Sequence, residues 1–595
     1  MTSHEQDQAY TWQLSDIYES PEAFDAALAG IKRDAAAFAA LKGTLQDGLD
    51  TLLKALRLQT AVSREMARVM AYASLHRHLD NGNPEAQKLV ETAHGVLYAA
   101  MEQESFFEPE VLSIGTGKLT EWMERDDFAT YRFYLGNILR GTAHTLDTAG
   151  EQLMSLASDP IHAVRNAFTM LNNVDLNLGT VRDEAGKDVN LTHGNYGVFI
   201  RSGDRRVREQ AYHTLYHAYR GMGNTLAAIY AASVKGDVFS ARARHFSSSL
   251  EEALFPDNIS VAVYDGLIGA VHSKLPAMEQ YMRLRREVLR VDRLAMYDLY
   301  TPIVAGNDTK YTFEEAKAIV MEALKPLGKR YAAMLEEAFA GRWVDVYEQP
   351  GKTSGAFSYG VPGAHPYVLL NYQGDLESVF TLAHELGHAM HSRLSDENQP
   401  YETSEYRIMA AEVASTVNEQ LLMRHLLKNE KDPVKRAYLL NQELENYRTT
   451  CFRQTMFAEF EKEAHAMAEA GIPLTVESLS RVYRQLNETY YPGVEVDDDI
   501  ASEWMRIPHF YTAFYVYQYA TGICAATAIA EHILTTGDTE GYFAFLKSGG
   551  SDYAPEELKL AGVDLTDSNT ISDALKVFEQ DVAELTALIG RKENI

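Results

Sequence analysis

Apolar residues recur at i, i+3, i+4 and i+7 through long Ala-, Leu- and Glu-rich stretches, from about Pro21 to Glu104 and again from about Val207 to Arg244. That spacing predicts amphipathic helices that each bury one face. Proline is sparse, 17 residues in all, and Pro160, Pro256, Pro302 and Pro492 read as breaks between helices. The pattern changes between Thr353 and Tyr372, TSGAFSYGVPGAHPYVLLNY. Two short aromatic and apolar runs there flank a Gly- and Pro-containing turn, which predicts a strand pair. Helical spacing returns from Leu376 to Ala383 and from Ala389 to Leu394, and again from about Thr403 to Leu427. Pro508 suits the first turn of one more helix over HFYTAFYVYQYATG. On such a helix Tyr511, Tyr515 and Tyr519 fall at i, i+4 and i+8 as one stripe of phenols, with Tyr517 pointing elsewhere. No fixed-period repeat or low-complexity tract interrupts the chain. The expected class is mainly α, with a small β-sheet just before the richest chemistry.

The length of 595 residues is ample for a sizeable core. The composition, 46% hydrophobic and 23% charged, is that of a globular protein and not of a disordered or collagen-like chain. The formal charge of −29 argues against nucleic acid and anionic membranes as partners, since both require cationic surface. Two cysteines, Cys451 and Cys524, are too few for a disulfide framework and lack thiolate-zinc spacing. The start, MTSHEQDQAYTWQLSD, has no apolar run after a basic segment, so no signal peptide is expected. The longest strongly apolar stretch, Ile523 to Ala530, is too short to span a bilayer. The expected setting is a reducing cytoplasm.

Residues 384–388 read His-Glu-Leu-Gly-His. On a helix, His384 and His388 share a face and can chelate one metal ion, while Glu385 is placed to reach a water on that ion. Zinc suits the pair because it takes imidazole nitrogen readily and acidifies bound water toward neutrality. A second i,i+4 pair, His213 and His217, has no acid beside its first histidine and reads as structural or surface. A catalytic zinc needs a third protein ligand and an open position. Glu412 lies on the next expected helix, 412 − 388 = 24 residues after His388, among the small residues Ala410, Ala411, Ala414 and Ser415 that favour a close helix crossing. Spacing alone leaves Glu402, Glu405 and Glu419 as competitors. His391 reads as packing or as a supporting group, because a fourth protein ligand would close the site.

These strings resemble the M3 family of zinc metallopeptidases, the thimet-oligopeptidase-like enzymes, and within it the oligoendopeptidase F branch. The resemblance is carried by LLNYQGDLESVFTLAHELGHAMHS, AAEVAST and IPHFYTAFYVYQYATG, with TWQLSDIY and ARHFSSSLEEALFPDN adding weaker matches. It implies a large helical, two-lobed, clam-like fold with a deep central channel, and hydrolysis of short peptides rather than folded proteins. It implies one zinc per chain, with Glu412 as the third ligand and Glu385 as the base. From the Tyr-rich segment it implies Tyr519 as an oxyanion donor, with His509 and Tyr515 contacting the peptide; Tyr511, on the same stripe of phenols, is a further candidate for substrate binding. The offset from His509 to Tyr515 is one residue longer than in the thimet-type pattern. The string Val413-Ala414-Ser415-Thr416 also departs from the thimet type, and points to the bacterial branch.

The expected division is a helical scaffold lobe at 1–110, a helical connecting segment at 111–195 that completes it, and an M3-type catalytic domain at 196–595. An oligopeptide is expected to lie extended beside Gly355, Ala356 and Phe357, pairing by backbone with little demand on side chains. A homo-oligomer is compatible with the sequence. Two other readings remain open. One is a zinc carboxypeptidase of similar helical fold, with Arg506 as a candidate for holding a terminal carboxylate. The other is a non-catalytic peptide-binding protein.

Overall fold

A computed structural model describes residues 10–304, 306 and 309–592; most of the amino-terminal stretch expected to lack a signal peptide lies outside them. The chain forms two compact units, each drawn from separated segments. The first comprises Met1–Ala143, Asp308–His425 and Ile529–Val563; the second comprises His144–Asn307, Leu426–Ala528 and Asp564–Ile595. This grouping interleaves the segments expected from sequence order: residues of 196–595 contribute to both units.

In the first unit the expected amino-terminal helices are α1 (Pro21–Ala39), α2 (Leu49–Leu79) and α3 (Pro84–Glu104). Their starts follow from local chemistry. Ser20 accepts from the Ala23 amide ahead of Pro21, and Asn83 accepts from the Glu85 and Ala86 amides ahead of Pro84. Leu28, Ile31 and Ala35 of α1 and Val69, Ala73 and Val90 of α2 and α3 meet in one core. Trp12 joins that core and donates its indole N–H to the Trp343 and Val368 carbonyls, at 3.0 and 2.9 Å.

Those carbonyls belong to the small sheet. It contains β1 (Val344–Asp345), β2 (Phe357–Tyr359) and β3 (Tyr367–Leu369), with β3 in the centre. β2 and β3 pair antiparallel with Ser358 opposite Val368, as the turn between them demands, and β1 adds to β3 in parallel. β2 is therefore an edge strand. A buried ion pair, Lys352 Nζ to Asp345 at 2.6 Å, ties the run-in to β2 back to β1. Next come α4 (Leu376–Asn398), capped by Asp375 on the Ser378 amide, and α5 (Ile408–Asn429).

The second unit is also helical. Helices Arg205–Gly221 and Gly223–Ala243 stand where the periodicity placed them. A two-stranded hairpin, Thr180–Arg182 with Asp188–Asn190, and a two-residue parallel pair, Leu294–Ala295 with Val494–Glu495, complete its strands among the described residues. Cys451 and Cys524 lie buried with their sulfurs 3.7 Å apart, both free thiols.

Two expectations need correction. Pro160 does not break a helix; it sits inside Thr148–Met170. Pro160 is exposed there, so water can take the carbonyl that its missing N–H leaves without an intrahelical donor. The Tyr-rich segment is not one helix either. A short 3₁₀ turn, Pro508–Tyr511, closes with the Thr512 amide on the His509 carbonyl, and regular helix begins only at Tyr517. Between them Phe514 takes φ +57°, with its ring buried and its amide donated to the buried Glu461 carboxylate at 3.0 Å. Tertiary burial of Phe514 and the demand of Glu461 for a donor override the local helical spacing.

Among the described residues no helix is long and apolar enough to cross a membrane.

Candidate active site

α4 presents His384 and His388 one turn apart, and their Nε2 atoms face each other at 3.1 Å. The ligand atoms of His384, His388 and Glu412 all lie within 4.8 Å of one another. Two nitrogens bound tetrahedrally at the usual zinc distances would be about 3.3 Å apart, so this donor set fits such an ion. Glu412 comes from α5, and the two helices approach very closely. A Cβ on Gly387 would stand 2.5 Å from Ser415 Cα and 2.9 Å from the Ala414 carbonyl. Only the absence of a side chain at 387 lets the backbones meet here. Asn418 locks the crossing by donating to the Ala383 carbonyl at 3.0 Å while accepting from Tyr331 at 3.0 Å. Tyr542 donates to the Ala414 carbonyl at 3.2 Å from the other side.

Glu419, one of the competitors for third ligand, has a different place. It lies two turns beyond Glu412 on α5 and hydrogen-bonds Nδ1 of His384. That contact fixes the His384 ring and leaves Nε2 aimed at His388. Glu402 accepts from Thr60 at 2.8 Å, away from the pair. Glu405 lines the adjoining cavity, outside the group of converging donor atoms. His391 is fully buried, stacked on Tyr406 at 3.6 Å, with neither ring nitrogen hydrogen-bonded among the described residues. Packing is what the structure gives it.

The electrostatics are those of a crowded, partly dehydrated site. Burial works against a charge on His384, but the Glu419 hydrogen bond and the negative charges of Glu419, Glu385 and Glu412 together outweigh it and lift the imidazole to about 9. Burial, reinforced by the nearby His384 charge, lowers His388 to about 3. Glu385 is pushed up to about 7 by burial, against the pull of His384 and with help from Glu412 and Glu419. Its Oε2 has no hydrogen-bond partner among the described residues. Burial also raises Glu412. A cation bound here would offset the negative charge that burial penalises on Glu385 and Glu412.

A cavity of about 620 Å³ opens onto these side chains. His384, Glu385, His388 and Glu412 line it, and so do Phe357 and Ser358 of β2 with Ala356 just before them. Gly355 and Ala356 also border a second cavity of about 500 Å³ along the same strand. Asn371 holds the run-in to β2 by donating to the Thr353 and Gly355 carbonyls, at 2.9 and 2.7 Å.

The sequence profile of Peptidase family M3 matches residues 198–577, and that of Oligopeptidase F matches 110–177. The chain belongs to peptidase family M3. Oligopeptidase PepF of Bacillus subtilis is 40% identical over 97% of this chain and 87% of its own. Group B oligopeptidase PepB of Streptococcus agalactiae is 36% identical over 98% of each. The crystal structure of oligoendopeptidase-F from Enterococcus faecium superposes with a TM-score of 0.74, at 38% identity, covering 96% of this chain and 99% of that one. Family M3 peptidases depend on a metal, and this member is a metalloendopeptidase with a mainly α fold.

In this M3 peptidase the remaining expected residues lie in the second unit. His509, Tyr515 and Tyr519 gather there: the Tyr519 ring lies 5.5 Å from Tyr515 and 6.2 Å from His509, both edge to face. Tyr511 is separated from them by the break at Phe514. It stacks on Phe168 at 4.3 Å and meets Tyr230 edge-on. Tyr517 is buried against Tyr264. His213, exposed, hydrogen-bonds Asp499 at 2.7 Å, and His217 is exposed. Asp499 also pairs with Arg220 at 2.8 Å, so that cluster already holds its cation.

Sequence reasoning missed the work of Gly387, Asn418 and Glu419. Their signal was available only in part. Gly387 and Ser415 are small, but nothing in the spacing says which small residues meet across two helices. Glu419 shares the Glu412 face at i+7, which marks it as near the site without separating ligand from support.

Proposed function

We propose that this M3 peptidase hydrolyses short, unfolded oligopeptides with one zinc ion per chain, held by His384, His388 and Glu412. The observation that carries the proposal is the convergence of those three donors, at ligand spacing, on a cavity shared by Glu385 and an unpaired strand edge. Zinc bound there would supply Lewis-acid polarisation of the scissile carbonyl and bring a water's acidity toward neutrality. The chain's own groups do the rest. Glu385, beside His384 and with one oxygen uncommitted, accepts the proton of the attacking water and passes it to the leaving amine. Glu419 holds His384 in the orientation that keeps Nε2 forward. The edge of β2 at Phe357, with Gly355 and Ala356 in its run-in, pairs with the backbone of an extended peptide and fixes its direction with broad tolerance of sequence.

The roles proposed for Tyr519 as oxyanion donor and for His509 and Tyr515 as peptide contacts rest on the family resemblance. The clustering of the three rings supports them. The packing of Tyr511 against Phe168 and Tyr230 makes it the weakest member of that set. Oligopeptides as substrates are proposed from the names of the relatives. A cytoplasmic setting is proposed from the scarcity of cysteine, two in 595 residues. The carboxypeptidase reading loses its candidate anchor, because Arg506 is engaged with Glu503 at 2.8 Å and Tyr216 at 3.3 Å.

The test is metal content by mass spectrometry together with cleavage of an end-blocked, internally quenched peptide, for the wild type and Glu385→Gln. The proposal expects about one zinc in each protein, and a loss of roughly a hundredfold or more in kcat for the variant. Near-normal turnover by Glu385→Gln would remove the assigned base. No cleavage of the blocked peptide by the zinc-loaded wild type would remove the endopeptidase reading.

A further inference from the structure

The second unit contains a small cavity of about 10 Å³ that the peptidase chemistry leaves unused. That is room for about one water-sized particle. Arg448, Arg453, Arg506 and Glu503 line it, together with Tyr196 and Tyr300.

The charges around it do not cancel. Glu503 is clamped by both terminal nitrogens of Arg453, at 2.9 and 2.8 Å, and by Arg506 Nη2 at 2.8 Å. It also accepts from Tyr483 at 2.7 Å and Tyr216 at 3.1 Å. Glu445 is likewise saturated, by Arg448 Nη2 at 2.7 Å, Arg285 Nη1 at 2.9 Å and Tyr281 at 2.6 Å. Among the described residues, these four guanidinium groups pair with only two carboxylates, a surplus of 4 − 2 = 2 positive charges in the cluster. Other described acids of the same unit are committed elsewhere. Asp298 holds Arg205 and Arg208, at 3.0 and 2.8 Å. Asp497 accepts from Tyr212 at 2.6 Å, and Asp499 pairs with Arg220.

Arg448 makes the imbalance local. Its side chain is 1% exposed, and it sits in a wide π-helical turn, Tyr447–Phe452. Nε and Nη2 are spent on Glu445, while Nη1 is buried with no hydrogen-bond partner among the described residues. A buried cationic N–H without an acceptor is costly, and a surplus of positive charge favours an anionic acceptor over a neutral one. Arg506, which also lines the cavity, retains 24% side-chain exposure. The volume excludes sulfate, phosphate and the carboxylate end of a peptide.

We propose that this cavity is a binding site for a halide-sized monovalent anion of the chloride class, held by Arg448 Nη1 in the field of Arg453 and Arg506. The anion supplies the missing acceptor and offsets the surplus charge, so it stabilises the folded second unit. It is independent of the zinc assignment.

The experiment uses the full chain. Thermal unfolding is followed while sodium gluconate, whose anion is too large to enter, is replaced by sodium chloride at constant ionic strength. The proposal expects a saturable rise in Tm of about 1–3 °C by roughly 0.1 M chloride, absent in Arg448→Met. Should that variant fail to fold, crystals of the wild type grown in bromide decide. An anomalous peak within hydrogen-bonding reach of Arg448 Nη1, together with the saturable rise in wild-type Tm, supports the site. No chloride-dependent rise, no bromide peak in the cavity, or a peak without the rise would each overturn it.

Discussion

Substituting Gly387 by alanine tests whether the α4–α5 crossing sets the metal site. The added methyl would stand 2.5 Å from Ser415 Cα and 3.1 Å from the Ser415 amide nitrogen. Carbon atoms settle at about 3.5–4.0 Å, so one backbone must retreat by about 1 Å. The obstacle is main chain, which cannot swing aside as the tip of a long side chain does. The ligands are within a turn of the contact: His384 and His388 flank Gly387 on α4, and Glu412 precedes Ser415 by three residues on α5. Metal sites tolerate displacements of only about 0.2 Å. Overpacking of this kind costs about 1–3 kcal/mol. In the metal-free protein the helices relieve it by separating, and metal binding must draw them together again. The strain is then taken from binding, a loss of roughly 5- to 150-fold in zinc affinity. Competition with a chromophoric chelator measures that affinity, and Tm values with and without zinc show where the strain resides. The expected outcome is weakened zinc binding, a smaller Tm gain on adding zinc and a nearly unchanged metal-free Tm. Gly266→Ala is the control, because a Cβ there meets nothing within 4 Å. Wild-type zinc affinity in Gly387→Ala would refute the reasoning, whatever happened to stability.

Other predictions follow from the same site and from the charges behind it. Glu419→Gln weakens the hold on His384 and should lower zinc affinity by about 10- to 100-fold, read by the same competition. His391→Phe should keep zinc and activity within about twofold and cost less than about 1.5 kcal/mol, because His391 only packs; loss of the metal would make it a ligand. Burial works against the Glu445 charge, but Arg448 and Arg285 outweigh it and lower its carboxyl to about 2. A carboxylate lowered on folding contributes stability that is present above its ordinary value of 4.5 and lost as pH falls through about 2. Glu445→Gln should therefore cost about 3 kcal/mol near neutrality and flatten the acid limb of the stability curve, checked by denaturant unfolding across that range.

Much of the architecture was legible because periodicity and capping agree. Ser20-Pro21 and Asn83-Pro84 start helices whose apolar stripes were already visible, and the Gly-Pro turn at 361–364 separates two real strands. The parallel β1 was not legible: Val344–Asp345 is two residues long and pairs with a strand more than twenty residues on. The Tyr-rich stripe misled because spacing reports only what a helix would do. Glu461, on a distant helix, takes the Phe514 amide and turns the chain. The metal ligands could be read because His384 and His388 are fixed to each other by one turn of helix. Glu412 needed the family resemblance, and its support by Gly387, Asn418 and Glu419 depends on a crossing that only the folded chain specifies.

The most direct measurement is an anomalous difference map, collected at the zinc edge from crystals of the purified, unsupplemented enzyme. The account predicts one strong peak per chain, within about 2.0–2.2 Å of His384 Nε2, His388 Nε2 and a Glu412 oxygen, with a coordination position open toward the β2 edge. A map with no peak there, or with its peak at His213 and Asp499, would contradict it.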